Sequence, residues 1–137
     1  MAIFNKFNVV SQDLLKAKHD FDTHSYKFIL SNTAPLATNT VKTNITEISS
    51  GNGYVAGGSA VGTSTSLSGE VASVVPDTDV VVSATGGDIG AFRYVVLYND
   101  TTTGKPLVSF YDYGSSITLK NGETFTIDVQ ATLLELS

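Results

Sequence analysis

The fold is decided by the sequence FRYVVLY at residues 92–98 and the sequence PLVSFYD at residues 106–112. The first segment is apolar on both of its faces, which is typical of a strand that is covered on both sides. The loop NDTTTG at residues 99–104 joins the two segments and predicts a hairpin. We therefore expect residues 92–98 to form the central strand of an antiparallel sheet.

Further strands are predicted on both sides of this hairpin. Each is a short run that is bounded by Gly, Asn, Pro or Ser. The predicted strands cover residues 26–30, 44–48, 59–68, 79–84, 117–119 and 124–130. Residues 113–116 are interpreted as a turn, and Asn121-Gly122 marks a tight hairpin before the last strand. The uncharged strand at 59–68 is expected at a sheet edge or in an assembly contact.

One segment near the start predicts a short helix within residues 8–20. Its apolar residues Val10, Leu14, Ala17 and Phe21 recur every three or four positions. The remaining segments are strands, and the whole chain of 137 residues has the usual size of one domain. We therefore predict a single domain, 1–137, that is mainly β. It is expected to be an antiparallel β-sandwich, jelly-roll or Ig-like, with one short N-terminal helix.

The predicted core takes one or two apolar residues from each main strand. It comprises Phe28, Val81, Val95, Leu97, Phe110, Phe125 and Ile127, and Val129 is expected to face the same core.

Composition and charge exclude several function classes. The chain has no Cys, so it forms no disulfide and carries out no thiol chemistry. Its net charge of −5 argues against nucleic acid as a main partner, and no apolar run has the ~20 residues of a membrane span. The charge is divided unevenly, with five Lys against four acids up to residue 50 and three basic residues against nine acids after it.

The residues that carry catalysis in other proteins are scarce. The only imidazoles belong to His19 and His24, and neither lies near a nucleophile motif. The segment 19–24 does not have the i, i+4 spacing of a helical metal site, and the glycine-rich segment 86–90 lacks the Lys and the helix of a phosphate loop. We therefore expect no catalytic residue, no metal and no cofactor, and predict that the protein is not an enzyme.

One charged residue stands inside the central apolar strand. Arg93 needs a partner if it is buried, and Asp112 on the neighbouring strand is the leading candidate for a buried pair. If the pair is buried, we expect Arg93→Met to be tolerated better than Asp112→Ala, because the second change would leave a charge unpaired.

Several stretches resemble a group of small tailed-bacteriophage virion proteins of the head-decoration (cement) type. The resemblance lies in residues 1–7, the helix through Lys18-His19, residues 30–39, 45–54, 84–100 (ATGGDIGAFRYVVLYND) and 111–119 (YDYGSSITL). It covers most of the chain, and it implies a virion component that is present in many copies and is assembled in the host cytoplasm.

The resemblance, the low charge and the missing catalytic set together predict a capsid decoration protein that binds and stabilises the shell. Its expected partners are the major capsid protein or another virion protein, without nucleic acid or membrane, and its expected form is a homotrimer. The alternative is a tail or fibre module that recognises a host glycan, for which tyrosines would supply the stacking surface.

The assembly contact is expected to include Phe4, Phe7, Leu14 and Tyr54. Phe4 and Phe7 have no evident place in a sandwich core, so they are interpreted as anchors in a neighbouring chain. Deletion of residues 1–8 is therefore expected to leave a folded domain that no longer assembles.

Overall fold

The computed structural model describes residues 3–127 and 133–136 of the chain. Strands make up 50% and helical residues 8% of the structure. In chain order the elements are β1 (Ile3–Lys6), α1 (Val9–Leu15), β2 (Tyr26–Ser31), a 3₁₀ turn (Lys42–Asn44), β3 (Ser59–Val61), β4 (Thr63–Ser68), β5 (Val71–Pro76), β6 (Val80–Ser83), β7 (Ile89–Asn99), β8 (Leu107–Leu119), β9 (Thr124–Ile127) and β10 (Leu134–Leu136).

The strands form three antiparallel sheets. The large sheet has the order β1-β8-β7-β2-β3, the small sheet has the order β10-β5-β4, and β6 pairs with β9 as a ribbon. The prediction of a mainly β, antiparallel, sandwich-like domain with one short helix is confirmed, and the predicted central strand lies in β7 between β8 and β2. Because β1 pairs with β8 and not with β2, the strand order differs from that of an immunoglobulin domain.

The large sheet buries both of its faces, as the two-sided apolar pattern of β7 predicts. Its inner face, with Phe28, Val95 and Leu97, packs in one cluster with residues of the small sheet and the ribbon. Its outer face, with Val96 and Tyr98, forms a second cluster under the loop that connects β2 to β3. That loop contributes buried residues of its own to both clusters, so it works as a third layer.

Most of the predicted core residues are buried. Five of them are at most 9% exposed, namely Phe28, Val95, Leu97, Phe110 and Ile127, and Phe125 is partly buried. The prediction for Val81 is wrong, because this side chain is 54% exposed while Val80 and Val82 point inward. Three consecutive valines do not show which of them face the core, and in the structure the first and third do so in place of the second. Val129 lies outside the described residues.

The helix is shorter than the periodicity predicts, because α1 ends at Leu15. Ala17 has a left-handed backbone with φ of 58°, and the following carbonyl of Lys18 accepts hydrogen bonds from Asn99 Nδ2 (3.1 Å) and Thr102 Oγ1 (2.6 Å). Tertiary bonds to the β7–β8 loop thus replace another helical turn. Phe21 is buried as the periodicity suggests, but it lies beyond the helix.

Other predicted boundaries also change. The expected turn at 113–116 does not end the strand but is a bulge within β8: Arg93 alone lies opposite these four residues, Gly114 has φ of 86°, and its N–H is donated to Asp112 Oδ1 (2.8 Å). Residues 44–48 form a single bridge after the 3₁₀ turn, because Asn44 Oδ1 accepts the N–H groups of Thr40 and Val41. The edge position of 59–68 is correct, with Gly62 dividing it into β3 and β4.

Among the residues that the structure describes, no helix is both long enough and apolar enough to span a membrane.

Candidate functional site

The strand β1 forms one end of the large sheet and carries the first predicted assembly residue. Phe4 is 42% exposed, and its ring lies 5.7 Å from the ring of Tyr111, which is buried. The ring of Tyr111 in turn lies 6.4 Å from that of Phe28 in the core. Phe4 is therefore the outermost member of an aromatic row that begins inside the protein, and it remains available for a partner.

The second predicted anchor, Phe7, is wrong as a surface residue. Phe7 is fully buried, and its ring lies 5.1 Å from that of Phe110 on the outer face of the large sheet. Its N–H donates to the carbonyl of Val108 (3.1 Å). Phe7 does have a place in the core, because β1 pairs with β8 and the residue after it turns inward.

The other two predicted contact residues are also held inside the molecule. Leu14 is partly buried against the inner cluster. Tyr54 is 3% exposed, and its hydroxyl donates to Glu47 Oε2 (2.6 Å) while accepting the N–H of Leu30 (3.1 Å). Burial and the bond to Glu47 raise the pKa of the Tyr54 hydroxyl. The assignment of Tyr54 to a surface contact is therefore wrong, because the ring fastens the β2–β3 loop to the large sheet.

Glu47 organises that loop, although in the sequence it is only a lone acid in a polar stretch. Besides Tyr54, its Oε2 accepts the N–H of Gly57 (2.7 Å), and its Oε1 lies 3.2 Å from Lys42 Nζ. The carbonyl of Gly57 accepts the hydroxyl of Tyr98 on β7. One carboxylate thus joins three points of the loop, and through Gly57 it connects them to Tyr98 on the outer face.

Arg93 and Asp112 form the predicted pair. The guanidinium Nε lies 2.8 Å from Oδ1 and Nη2 lies 3.2 Å from Oδ2, so the bond is bidentate. The two side chains are 38% and 24% exposed, so the pair lies at the surface and is not buried as expected. Asp112 raises the pKa of Arg93, and Arg93 lowers the pKa of Asp112. The arrangement fixes β7 against β8 and has the features of a structural contact.

The two histidines meet at Asn99, the last residue of β7. Asn99 Nδ2 lies 3.2 Å from Nδ1 of His19 and 3.0 Å from Nδ1 of His24. His19 is only 8% exposed, and burial lowers its pKa to about 4, so this imidazole is neutral at pH 7. No group of three or more His, Asp or Glu within 3–127 and 133–136 is arranged to hold a metal ion.

Two depressions lie on either side of the segment that follows α1. An apolar groove of about 150 Å³ is lined by Leu14 and Phe21 together with residues of β5 and β10. A polar cleft of about 350 Å³ is lined by Asp22, His24 and Asp77. The carboxylate of Asp22 accepts hydrogen bonds from Thr65, and that of Asp77 accepts one from Ser64, both on β4.

Comparison with known proteins identifies no relative, because no family model, no curated protein and no solved structure matches the chain.

Proposed function

We propose that this chain is a structural component of a virion, a capsid decoration protein that joins its neighbours through the outer edge of β1. The observation that carries the proposal is the combination of an outer strand edge and a half-exposed aromatic side chain at one place. The support comes from the geometry of β1 and from the resemblance to phage head-decoration proteins.

The backbone of β1 faces outward at two positions. Phe7 donates its N–H to Val108, so by the two-residue alternation of an antiparallel ladder Asn5 also bonds toward β8, while Phe4 and Lys6 direct their backbone groups away from it. Within the described part of the chain, no strand pairs with this outer edge. Unpaired N–H and C=O groups in a row are a template for pairing with another chain.

A strand added to β1 would cover Phe4 as well. Complete burial of an aromatic side chain is worth roughly 1.5–3 kcal/mol, so covering the exposed part of Phe4 contributes about 1 kcal/mol per contact. That is small for one pair of chains and becomes large in a shell where each copy makes the same contact. A decoration protein that is present in many copies fits such an energy.

The alternative of a glycan-binding tail or fibre module has weaker support. Five of the six tyrosines are at most 8% exposed, namely Tyr26, Tyr54, Tyr94, Tyr98 and Tyr111, and Tyr113 is only partly exposed. Sugar rings stack on aromatic faces that are open to solvent. The tyrosines that suggested this function in the sequence are used inside the sandwich.

The substitution Phe4→Ser tests the proposed contact. The variant should remain folded, because Phe4 is not part of either buried cluster, but it should dissociate at protein concentrations where the unchanged protein still sediments as the predicted trimer, and its occupancy on particles should fall. Val55→Ser is the matched control, because Val55 is 71% exposed in the β2–β3 loop. Deletion of residues 1–8 is a poorer test, since it also removes Phe7 from the core.

Two results would contradict the proposal. One is a Phe4→Ser variant that associates and enters particles as well as the unchanged protein. The other is a low number of copies in purified particles, which quantitative mass spectrometry measures against the major capsid protein. Hundreds of copies agree with decoration, whereas a few copies point to the fibre alternative.

A further inference from the structure

The segment 16–25, here named the strap, connects α1 to β2 and ties two sheets together. At one end the carbonyl of Lys18 is held by Asn99 and Thr102 of the β7–β8 hairpin, at 3.1 and 2.6 Å. At the other end Ser25 donates its N–H to Thr101 Oγ1 of the same hairpin (2.7 Å), and in the middle the carbonyl of Phe21 accepts the hydroxyl of Thr63 on β4 (2.7 Å). The strap is therefore bonded to the large sheet at both of its ends and to the small sheet at its centre.

The strap also closes the edge of β4. Asp22 Oδ1 accepts the backbone N–H of Thr65 (2.9 Å), and Oδ2 accepts its hydroxyl (2.9 Å). The bond from Asp77 N–H to the carbonyl of Gly62 fixes the ladder so that Thr65 directs its backbone away from β5. Because β4 has the sequence TSTSLS, without charge or proline, the carboxylate of Asp22 supplies the protection that an edge strand usually has in its own residues.

His19 attaches the strap to β2 and β7. Its ring is stacked on Phe21 and Tyr26, with centroids 5.4 and 6.0 Å apart, and its Nδ1 lies 3.3 Å from the hydroxyl of Tyr26 and 3.2 Å from Asn99 Nδ2. Its Nε2 is buried without a hydrogen-bond partner. The neutral ring suits this place, because its Nδ1 can then accept from the amide of Asn99, whereas a protonated Nδ1 would face that donor.

The groups around His19 do not compensate a positive charge. Asp13 on α1 favours protonation, but it already lies 3.6 Å from Lys18 Nζ, and both Lys18 and His24 in the strap oppose protonation. The neighbours from β2 and β7 are the neutral Tyr26 and Asn99. Burial therefore dominates, and a proton on His19 is accommodated only if the ring leaves its pocket.

We propose that the strap is an acid-sensitive latch on the edge of β4. Protonation of His19 expels its ring from between Phe21 and Tyr26, the strap separates from Asn99 and from β4, and the N–H of Thr65 becomes accessible. The strands β7 and β8 keep their pairing, because their ladder runs from Ile89 opposite Leu119 to Tyr98 opposite Leu107 and contains no residue of the strap.

Hydrogen exchange followed by mass spectrometry tests the latch on the full chain. After correction for the intrinsic effect of pH, protection in 16–25 and 63–68 should fall by about 40-fold between about pH 6.5 and about pH 4.5, because His19 binds the proton with a pKa of about 4 in the closed strap and with the ordinary His pKa of about 6.5 in an opened one. Protection in β7 and β8 should stay unchanged. Equal loss across all strands, or no loss in the strap, would overturn the proposal.

Three variants assign the effect to the named residues. His19→Phe retains the ring stack and His19→Gln retains polarity, so whichever folds should lose the response to acid; a response that persists in it contradicts the proposal. His24→Asn should respond like the unchanged protein, and loss of the response there would place the switch at the wrong histidine. Asp22→Ala should expose the Thr65 amide already at neutral pH, and full protection of that amide would show that Asp22 does not close the edge.

Discussion

Replacement of Glu47 with alanine tests how far the β2–β3 loop depends on one carboxylate. The side chain of Glu47 is 15% exposed, and it accepts the Tyr54 hydroxyl and the Gly57 N–H, at 2.6 and 2.7 Å, in addition to its pair with Lys42. A hydrogen bond to a charged group contributes roughly 1.5–3 kcal/mol. Loss of both therefore predicts that Glu47→Ala lowers the free energy of unfolding by roughly 3–6 kcal/mol.

Two companion variants separate the hydrogen bonds from the ion pair. Glu47→Gln keeps a neutral acceptor in place of the charged one, so it should cost roughly 1–2 kcal/mol. Lys42→Met removes only the ion pair and should cost less than about 1 kcal/mol, because partly exposed pairs contribute little. Urea unfolding followed by circular dichroism and by tyrosine emission gives all three values, since the chain has six Tyr and no Trp.

The order of the three stability losses shows which contact of Glu47 holds the loop. If Glu47→Ala costs no more than Lys42→Met, then the two short bonds of the carboxylate contribute nothing and the loop is held by its apolar residues alone. If Glu47→Gln is as damaging as Glu47→Ala, the charge itself is required, and the two hydrogen bonds do not explain the role of Glu47.

Three further predictions concern other contacts. Arg93→Met should lower the midpoint of thermal unfolding less than Asp112→Ala, because Asp112 also accepts the N–H of Gly114; the opposite order in a calorimetric scan would contradict this. Gly58→Ala should cost more than about 3 kcal/mol in urea unfolding, since its Cβ would lie 1.9 Å from the carbonyl oxygen of Phe28, whereas Gly86→Ala at a similar positive φ in open space should cost about 1 kcal/mol. Lys105 and, to a lesser extent, Lys27 lower the pKa of the Asp100 carboxyl, so this group stabilises the fold above its unfolded pKa of about 3.9, and the contribution is lost as pH falls through the lower folded pKa. Asp100→Asn should therefore make the free energy of unfolding depend less on pH in the acid range. An unchanged dependence would refute the assignment.

The architecture could be predicted where a segment has one dominant pattern. The run at 92–98 is apolar on both faces, and it is the central strand with both faces covered. The pairing of Arg93 with Asp112 followed from a lone charge in that strand. Elements with a short or indistinct pattern were missed. Examples are β1, which has four residues, and β5, whose sequence VASVVP is only partly buried.

The candidate sites were less predictable, because they depend on contacts between distant parts of the chain. The periodicity predicts His19 inside a helix within residues 8–20, but the helix ends earlier and the ring is buried against residues of β2 and β7. Phe7 was interpreted as exposed, since nothing in the local sequence shows that the chain turns into the core directly after β1. Sequence periodicity describes a single element, whereas these positions are decided by the packing of several.

The edges of the large and small sheets differ in how they are protected, and the difference favours β1 as the proposed assembly contact. Within the part of the chain that the structure describes, β3 and β10 are edges of only three residues, which offer little backbone for pairing. The edge of β4 is longer, and Asp22 occupies its outward N–H at Thr65. The carboxylate that covers the edge of β4 comes from a segment more than forty residues away, so this protection depends on the tertiary fold. The edge of β1 instead carries the exposed ring of Phe4, so a partner that pairs there gains both backbone hydrogen bonds and apolar burial.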